Sequence, residues 1–575
     1  MINNAFKAIS LLVLTAIFVS PGQAQSIAGA YLAGRYAAVN SDYREAARFY
    51  ARALARDPSN AELIESTVLS YLALGDIDKA APLARALEGK NQRSQVARLV
   101  ITASLVRKGN FEALIARPDD TSSIGPWVDG MVKAWAQIGN GDVASGMAAF
   151  DALSTQQGMR SFAMYHKALA LASVGDFEAA EEIFGSGLTG AAGQTRRGIM
   201  AHAEILGQLS RAKEALTVLQ ASFGDATDPE LASLMSALRS GTPVPFSHIR
   251  NAADGVAEVF YTFGAVLRSE AAGDYYVLLY TRLARYLRPE HVDALLITAD
   301  LLENLGQYAL AIEEYKDVPA NHPAYHAAEL GRAEALRRSG KVDQAVEVLE
   351  QLTRSHGELP VVHSTLGDVL RFQDDFVGAI VAYDRALERA PENAPSRWIL
   401  YYSRGIAYER SGDDISSEAD FRAALTLSPD QPQVLNYLGY SMVEQRRNLD
   451  EALEMIERAV ELRPKSGYIV DSLGWVFYRL GRYEEAVVQM ERAVELMPVD
   501  PVVNDHLGDV YWAVGRKREA DFQWRRALSF IGEDDHDSEV DPERIRKKLD
   551  IGLDEVLLRE GAPPLQLVND TSATD

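Results

Sequence analysis

A period of 34 to 35 residues runs through the second half of the chain and constrains its fold more than any other feature. Three successive segments begin with NYLGYSMVEQ, DSLGWVFYRLG and NDHLGDVYWAVG, and a glycine holds the same place in each: Gly439, Gly474 and Gly508. Two alanine positions, seven residues apart, recur later in each segment. They are Ala452, Ala459, Ala486, Ala493, Ala520 and Ala527. Self-similarity of this kind indicates stacked copies of one supersecondary unit.

The period and its spacing of small and large residues are typical of tetratricopeptide (TPR) repeats, in which each unit is a helix–turn–helix. We therefore predict an all-α fold, a right-handed solenoid of antiparallel helix pairs. Equivalent head positions before Gly439 are Gly405, Gly367, Ala333 and Ala299. The N-terminal half, from Gly34 onward, has the same pattern with less regular spacing.

The sequence predicts two repeat blocks joined by an irregular junction. A degenerate block spans 26–220 and a regular block spans 259–531. The period fails over 221–258, where the prolines of GTPVPF are incompatible with a helix. Both a hinge and a degenerate repeat fit this junction. After the regular block, 532–575 predicts an acidic linker, a capping helix and a disordered tail.

Large side chains recur four residues after the first alanine position, as Tyr383, Phe421, Met490 and Trp524. Close helix crossing requires a small residue on one helix, and a large side chain fills the groove beside it. We therefore interpret these large residues as structural and assign none of them to a binding site.

Residues 1–25 have the composition of a secretory signal. Lys7 gives a positive start, AISLLVLTAIFVS is apolar, and Gly22 and Ala24 offer small residues for cleavage. The apolar run is shorter than the roughly 20 residues that span a bilayer. We expect cleavage and a periplasmic or secreted protein without membrane insertion in its mature form. Retention as a short anchor is the alternative.

Composition excludes several classes of function. The net charge of −23 argues against nucleic acid as a partner, because phosphate binding needs clustered Lys and Arg. The chain has no cysteine, which excludes disulfides, thiol catalysis, cysteine-bound metals and a lipid-modified cysteine. A hydrophobic content of 47% is that of a folded protein.

No motif predicts catalysis, so we expect a non-enzymatic protein with no cofactor and no metal. GSGLTG (185–190) matches a dinucleotide fingerprint but follows a predicted helix instead of a strand. His322 and His326 have ligand spacing near Glu329, but Pro323 intervenes and no third ligand is evident. Repeats fill nearly the whole chain and leave no room for a catalytic domain.

The inner face of each first helix is the expected binding surface, because residues at i, i+4 and i+7 share one stripe. Aromatic rings beside carboxylates on this stripe suit an extended peptide or a protein edge. The alternative is that the rings pack between adjacent first helices. The candidate partner-binding residues are Asn436, Tyr440, Asp471, Trp475, Tyr478, Asp505, Asp509 and Trp512.

The segments NYLGYSMVEQ, DSLGWVFYRLGRYEEAV and NDHLGDVYWAVGRKREA resemble the C-terminal block of a family of bacterial envelope TPR proteins. One branch of that family comprises lipoprotein adaptors of the periplasmic carboxyl-terminal processing protease. The resemblance covers Leu435 to Leu528 and implies a scaffold that holds the protease and presents cell-wall hydrolases to it. This chain departs from that branch because it has no cysteine for a lipobox.

Two hypotheses of function follow. The first is an exported scaffold or adaptor that binds protein or peptide partners on its concave face, with the protease and cell-wall hydrolases as the partners implied by the resemblance. The alternative is an assembly factor for an envelope complex that exports polysaccharide or outer-membrane components.

Overall fold

The computed structural model describes residues 27–89, 94–117, 124–224, 228–531, 540–562 and 564–565, and these residues form helices and connecting turns without a strand. The chain divides into two compact units, an N-terminal unit that extends to Val348 and a C-terminal unit that begins at Leu349. The predicted all-helical solenoid of TPR-like helix pairs is confirmed.

The helices of the N-terminal unit are α1 (Ile27–Val39), α2 (Tyr43–Leu54), α3 (Ala61–Leu74), α4 (Ile77–Glu88), α5 (Gln95–Arg107), α6 (Phe111–Ile115), α7 (Pro126–Gly139), α8 (Val143–Ser154), α9 (Arg160–Ser173), α10 (Phe177–Gly185), α11 (Gly190–Gly193), α12 (Arg196–Gln208), α13 (Ala212–Phe223), α14 (Pro229–Ser240), α15 (Ala252–Ser269), α16 (Asp274–Leu287), α17 (Val292–Asn304), α18 (Tyr308–Lys316) and α19 (Tyr325–Arg338). The boundary between the units falls within α20 (Val342–Ser355).

The helices of the C-terminal unit are α21 (Pro360–Phe372), α22 (Phe376–Arg389), α23 (Arg397–Arg410), α24 (Asp414–Leu427), α25 (Pro432–Glu444), α26 (Leu449–Leu462), α27 (Gly467–Arg479), α28 (Tyr483–Leu496), α29 (Pro501–Ala513), α30 (Lys517–Phe530), α31 (Pro542–Ile551) and α32 (Leu553–Arg559). From α21 to α30 they pack as five successive hairpins. The odd-numbered helix of each hairpin carries the head glycine and is its first helix.

A contact between the head glycine and a large side chain closes each hairpin. A Cβ atom on Gly508 would lie 2.4 Å from the indole of Trp524, and one on Gly474 would lie 2.8 Å from Met490 Cγ. Tyr383 and Phe421 meet Gly367 and Gly405 in the same way. All four large side chains are buried, which confirms that they belong to the core. The glycine therefore lets the second helix lie against the first without a steric clash.

The hairpin ends follow local backbone chemistry. Pro432 and Pro501 occupy the first positions of α25 and α29, where the backbone N–H needs no partner within the helix. Asp500 caps α29 by accepting a hydrogen bond from Val503 N at 3.0 Å. Gly481 turns the chain between α27 and α28 with a φ of +76°, a conformation that favours glycine.

In the N-terminal unit, one helix pair lies across the first helices of the others. The pair is α15–α16, which forms a hairpin that packs on α17. In addition, α16 packs against α3 and α5, and α15 packs against α5, α7 and α9. The face on which a TPR protein would bind a partner is therefore covered here by the chain's own helices.

Specific contacts hold this pair in place. A Cβ atom on Gly255 of α15 would lie 2.2 Å from the Trp135 ring of α7, so the glycine permits direct backbone-to-ring packing. Arg282 of α16 donates to the Ala73 carbonyl at 3.0 Å. Nearby, the Tyr286 hydroxyl donates to Asp78 at 2.7 Å. These bonds satisfy polar groups that the close packing removes from water.

A buried ion network also links α15 to its neighbours. Glu258 is 1% exposed and accepts hydrogen bonds from Arg197 Nε and from the Tyr165 hydroxyl, both at 3.0 Å. Arg197 donates as well to Asp293 at 2.7 Å. Burial alone would raise the pKa of Glu258, but Arg197 holds that pKa well below its usual range. The carboxylate is thus charged and paired, which fixes the position of α15.

The segment 221–258 lies within the N-terminal unit. It contains the end of α13, α14, a non-helical stretch and the start of α15. The GTPVPF residues are non-helical, as predicted. Glu204 of α12 accepts hydrogen bonds from Ser247 N and from the Ser247 hydroxyl, both at 2.8 Å, so the non-helical stretch is fastened to the array.

In the segment where a capping helix was predicted, the structure has two helices, α31 and α32, which meet at Gly552. The predicted signal peptide at 1–25, the acidic stretch 532–539 and residues 566–575 of the predicted tail lie outside the described residues.

Replacing Ala486 with Phe tests the repeat register. Ala486 of α28 is fully buried, so the larger ring should overpack the hairpin and lower the free energy of unfolding by about 1–3 kcal/mol. Urea unfolding followed by circular dichroism measures this change. Val488→Phe on the same helix is the matched control, because Val488 is 61% exposed and should tolerate the ring. Equal unfolding midpoints for the two variants would contradict the register.

The buried His166 predicts a loss of stability in acid. It accepts a hydrogen bond from Trp135 Nε1 at 3.2 Å, and burial lowers the pKa of His166 to about 4. The unfolded chain protonates this ring near pH 6.5, so its contribution to stability is lost as the pH falls from 6.5 to 4. His166→Asn retains an acceptor for Trp135 but does not titrate. Urea unfolding at pH 7 and pH 4 should show the variant gaining about 3 kcal/mol relative to wild type. A pH-independent difference would refute this prediction.

Candidate functional site

The inner faces of the first helices in the C-terminal unit carry two columns of residues, three positions before and one position after each head glycine. The candidate residues Asn436, Asp471 and Asp505 belong to the first column. Tyr440, Trp475 and Asp509 belong to the second. Tyr478 and Trp512 lie one turn further along α27 and α29. The surroundings of these residues differ among the three repeats, so the columns do not form one uniform surface.

An inner-face cavity of about 440 Å³ opens between the first helices α23, α25, α27 and α29, and we call it the open groove. Tyrosines, amides and charged side chains dominate its wall. The lining residues are Tyr402, Glu409, Arg410, Gln433, Asn436, Tyr437, Tyr440, Tyr468, Asp471, Ser472, Met497, Asp500, Val502, Val503 and His506. The volume lies within the range of natural ligand pockets, and the wall is more polar than is usual for them.

Asn436 lies in the wall of the open groove with an unused acceptor. The residue is 8% exposed, and its Oδ1 atom has no hydrogen-bond partner in the described structure. A buried amide oxygen without a partner costs free energy that a ligand N–H would recover. An asparagine amide can donate and accept at once, which matches the two polar groups of a peptide bond.

Tyrosine rings form the apolar part of the wall. The rings of Tyr402 and Tyr437 meet edge to face at 6.0 Å, and Tyr437 packs on the buried Phe421 at 5.2 Å. Burial, together with the nearby Glu409, raises the pKa of Tyr437 above its usual range. The hydroxyl is therefore a neutral hydrogen-bond donor. Tyr468, which is 45% exposed, presents a further ring at the mouth of the groove.

Asp471 contributes to the same wall through an ion pair with His506. The Asp471 carboxylate lies 3.0 Å from His506 Nδ1, and the imidazole stacks on the Trp475 ring at 4.1 Å. Burial alone would lower the pKa of His506, but the attraction of Asp471 outweighs it and the pKa is raised. The imidazole, held between Asp471 and Trp475 of the preceding repeat, thus bridges two repeats.

Trp475 and Tyr478 fill the seam between first helices. Both are 8% exposed, and their rings stack at 4.7 Å. Trp475 Nε1 donates to Glu444 at 2.7 Å. The sequence left open whether such rings bind a partner or pack between helices, and the structure places these two in the packing. Neither lines the open groove.

The C-terminal helices cover the inner face of the last repeat. Lys548 of α31 is 1% exposed, and its Nζ lies 2.8 Å from Asp505 and 2.7 Å from Asp509. The Trp512 indole donates to Asp554 at 2.9 Å and lies against Gly552. These three candidate residues therefore contact the chain's own cap.

The open groove brings together three of the eight candidate residues, Asn436, Tyr440 and Asp471. Sequence reasoning missed Tyr437 and Tyr468, which lie one position after and three positions before a first-column residue. The sequence feature that could have identified them is an aromatic residue next to the predicted stripe. Whether the eight residues bind a partner stays a prediction.

In the part of the chain that the structure describes, no group of three or more His, Cys, Asp or Glu side chains is arranged to hold a metal ion. His322 Nδ1 accepts from Ala324 N at 3.1 Å, so this ring serves the local backbone. Over the same described residues, every helix is too short or too polar to cross a bilayer.

Comparison with known proteins identifies the repeats. The tetratricopeptide repeat family model matches residues 31–95, 278–326, 330–394, 364–432 and 439–501. TPR repeat-containing protein PA4667 of Pseudomonas aeruginosa is 29% identical over 184 residues, which are 32% of this chain and 30% of that protein. The match thus spans less than a third of this relative's length.

Solved structures match the chain at low identity and with low TM-scores. The Cut9–Hcn1 hetero-tetramer of the APC/C matches with a TM-score of 0.37 and 14% identity over 94% of this chain and 98% of that chain. A tetratricopeptide repeat protein from Parabacteroides merdae matches with a TM-score of 0.36 and 17% identity over 45% of this chain and 96% of that chain.

Replacing Lys548 with Met tests how the cap is held. The change leaves two buried carboxylates without their cation, which should destabilise the docking of α31 by about 3–5 kcal/mol. Hydrogen exchange of the α31 amides, read by mass spectrometry, should accelerate while α21–α28 stay protected. Lys547→Met is the matched control, because Lys547 is exposed. Exchange equal to that of the control would show that the ion pair does not hold the cap.

Proposed function

Because the chain is built from tetratricopeptide repeats, we propose that it is an exported, non-catalytic scaffold that holds an extended segment of a protein partner in the open groove. One observation carries the proposal: the open groove is lined by Asn436, which is 8% exposed and whose amide oxygen has no hydrogen-bond partner among the described residues. An extended segment exposes its backbone N–H groups, which folded elements do not. Because the amide oxygen is closed to solvent as it stands, the Asn436 side chain must rotate toward the cavity for such a segment to supply the missing donor.

The occupied inner faces support the same location. In the N-terminal unit, α15–α16 cover the first helices α3 to α9, and in the last hairpin of the C-terminal unit α31 covers α29. Within the C-terminal unit, the lining of the open groove contains no residue of α31 or α32. Tyrosines such as Tyr402 and Tyr440 provide contact area with little loss of side-chain entropy, as binding surfaces require.

The partner we favour is a periplasmic protease system. The proposal rests on the signal-like residues 1–25 and on the resemblance of Leu435–Leu528 to adaptors of the carboxyl-terminal processing protease. In this role the scaffold would hold the protease or a cell-wall hydrolase that the protease cleaves. An assembly role in an envelope export complex is the alternative, and the partner's identity separates the two.

Photo-crosslinking in intact cells tests the proposal. A benzoylphenylalanine placed at Tyr468 should capture a partner at the mouth of the open groove, and mass spectrometry identifies it. Adding Asn436→Ala should reduce capture about fivefold or more, because the buried hydrogen bond to the segment is lost. A protease or hydrolase of the envelope is the expected product.

Asn393→Ala is the matched control, since Asn393 is an exposed asparagine of the same unit. Capture that falls equally in both variants, or does not fall in either, would refute the role of the groove. Exclusively cytoplasmic products would refute export, and subunits of a membrane export complex would favour the alternative.

A further inference from the structure

We infer that the segment held in the open groove carries a basic side chain, lysine or arginine, that enters the cavity. The inference rests on the proposed function and adds the chemistry of the partner. It is drawn from the charges and rings of the groove, from the nearby Lys548 contact, and from Asn436.

The charged side chains of the groove are mostly acidic. Glu409, Asp471 and Asp500 line the cavity, with Arg410 as the lining arginine. No ion pair joins any of these three carboxylates to a lysine or arginine in the described ranges. Arg410 is exposed, and its guanidinium lies over the Phe376 ring at 5.7 Å. His506 also lines the cavity and is paired with Asp471, so the acidic excess comes from three carboxylates against one arginine and one histidine. A cation on the ligand complements this excess.

Each of the three carboxylates retains free acceptor capacity. Asp471 is bonded to His506, and Asp500 accepts from Val503 N. Glu409 has the Tyr437 hydroxyl as its neighbour. A carboxylate has about four acceptor positions. An incoming ammonium or guanidinium can therefore bond to them without breaking the existing contacts.

The tyrosine wall favours the same ligand class. Tyr402, Tyr437, Tyr440 and Tyr468 all line the cavity. Aromatic faces attract cations through their quadrupole, and they also pack well on the aliphatic stem of lysine or arginine. Rings combined with carboxylates thus match both parts of a long basic side chain.

The next repeat shows this chemistry within the chain itself. Asp505 holds the column position of Asp471, 34 residues later. Its partner is Lys548, whose Nζ also contacts Asp509 and lies 5.8 Å from the centre of the Trp524 ring. In the repeat after Asp471, two carboxylates and an aromatic ring therefore surround a lysine of the same chain. The open groove has the same kinds of groups around its cavity.

Asn436 supplies the independent observation that a ligand belongs there. Its buried Oδ1 lacks a donor, and it lies in the same column as Asp471, one repeat earlier. A segment that follows the column can pair a backbone amide with Asn436 and direct a neighbouring side chain toward Asp471. Backbone pairing supplies affinity, and the side chain supplies specificity.

A peptide array tests the inference with the full chain. The probes are immobilised nine-residue peptides in a Gly/Ala/Ser background, with lysine, arginine, norleucine or glutamate at the centre. Wild-type protein should bind the lysine and arginine peptides about tenfold more than the norleucine peptides, and raising the salt concentration should reduce this ratio. The Glu409→Gln/Asp471→Asn variant should lower the ratio to about twofold or less.

The controls separate the inference from the proposed function. Glu454→Gln, an exposed carboxylate of α26, should keep the wild-type ratio, and circular dichroism confirms that each variant is folded. Peptide binding that Asn436→Ala weakens, but without preference for a basic centre, would overturn the inference and leave the function standing. Binding that Asn436→Ala does not change, or no binding at all, would overturn both.

Discussion

Close approach between paired helices is the constraint on which the rest of this structure depends. Each hairpin closes where a head glycine meets a large side chain from the second helix, as Gly508 meets Trp524. With a side chain at the glycine, the two helices could not lie at this distance, and the next hairpin would lose the surface on which it stacks. The repeated stack then places every first helix on the inner face.

The inner face of a helix array is either covered by other helices or accessible to a ligand, and both cases occur in this chain. Two internal covers are present: α15–α16 across the first helices of the N-terminal unit, and α31–α32 over the last hairpin of the C-terminal unit. Apolar packing holds the second cover in place, as Ile545 of α31 and Leu553 of α32 show by their complete burial. Between α23 and α29 the face stays open and forms a cavity with polar and aromatic walls.

Buried charge distinguishes the covers from the open groove. Under α15, Glu258 is paired with Arg197, and under α31, Asp505 and Asp509 are paired with Lys548. Such pairs contribute little net stability but penalise any other arrangement, so they specify where a helix docks. In the open groove, the cationic partner of Asp471 among the described residues is a histidine, and the Asn436 amide oxygen has no hydrogen-bond partner there. Buried ion pairs thus fix the internal helices, whereas the open groove has groups that can bind an external ligand.

The sequence alone determined the repeat architecture, because a 34-residue period with small and large residues at set positions has one physical solution, the nested helix pair. It also determined the core role of Trp524 and the non-helical GTPVPF stretch. Only the tertiary structure decided which candidate site residues share a cavity. Asp471 and Asp505 are equivalent in the repeat, yet one lines the open groove and the other is sealed by Lys548. That difference arises from contacts with helices distant in sequence, and a local repeat pattern carries no information about them.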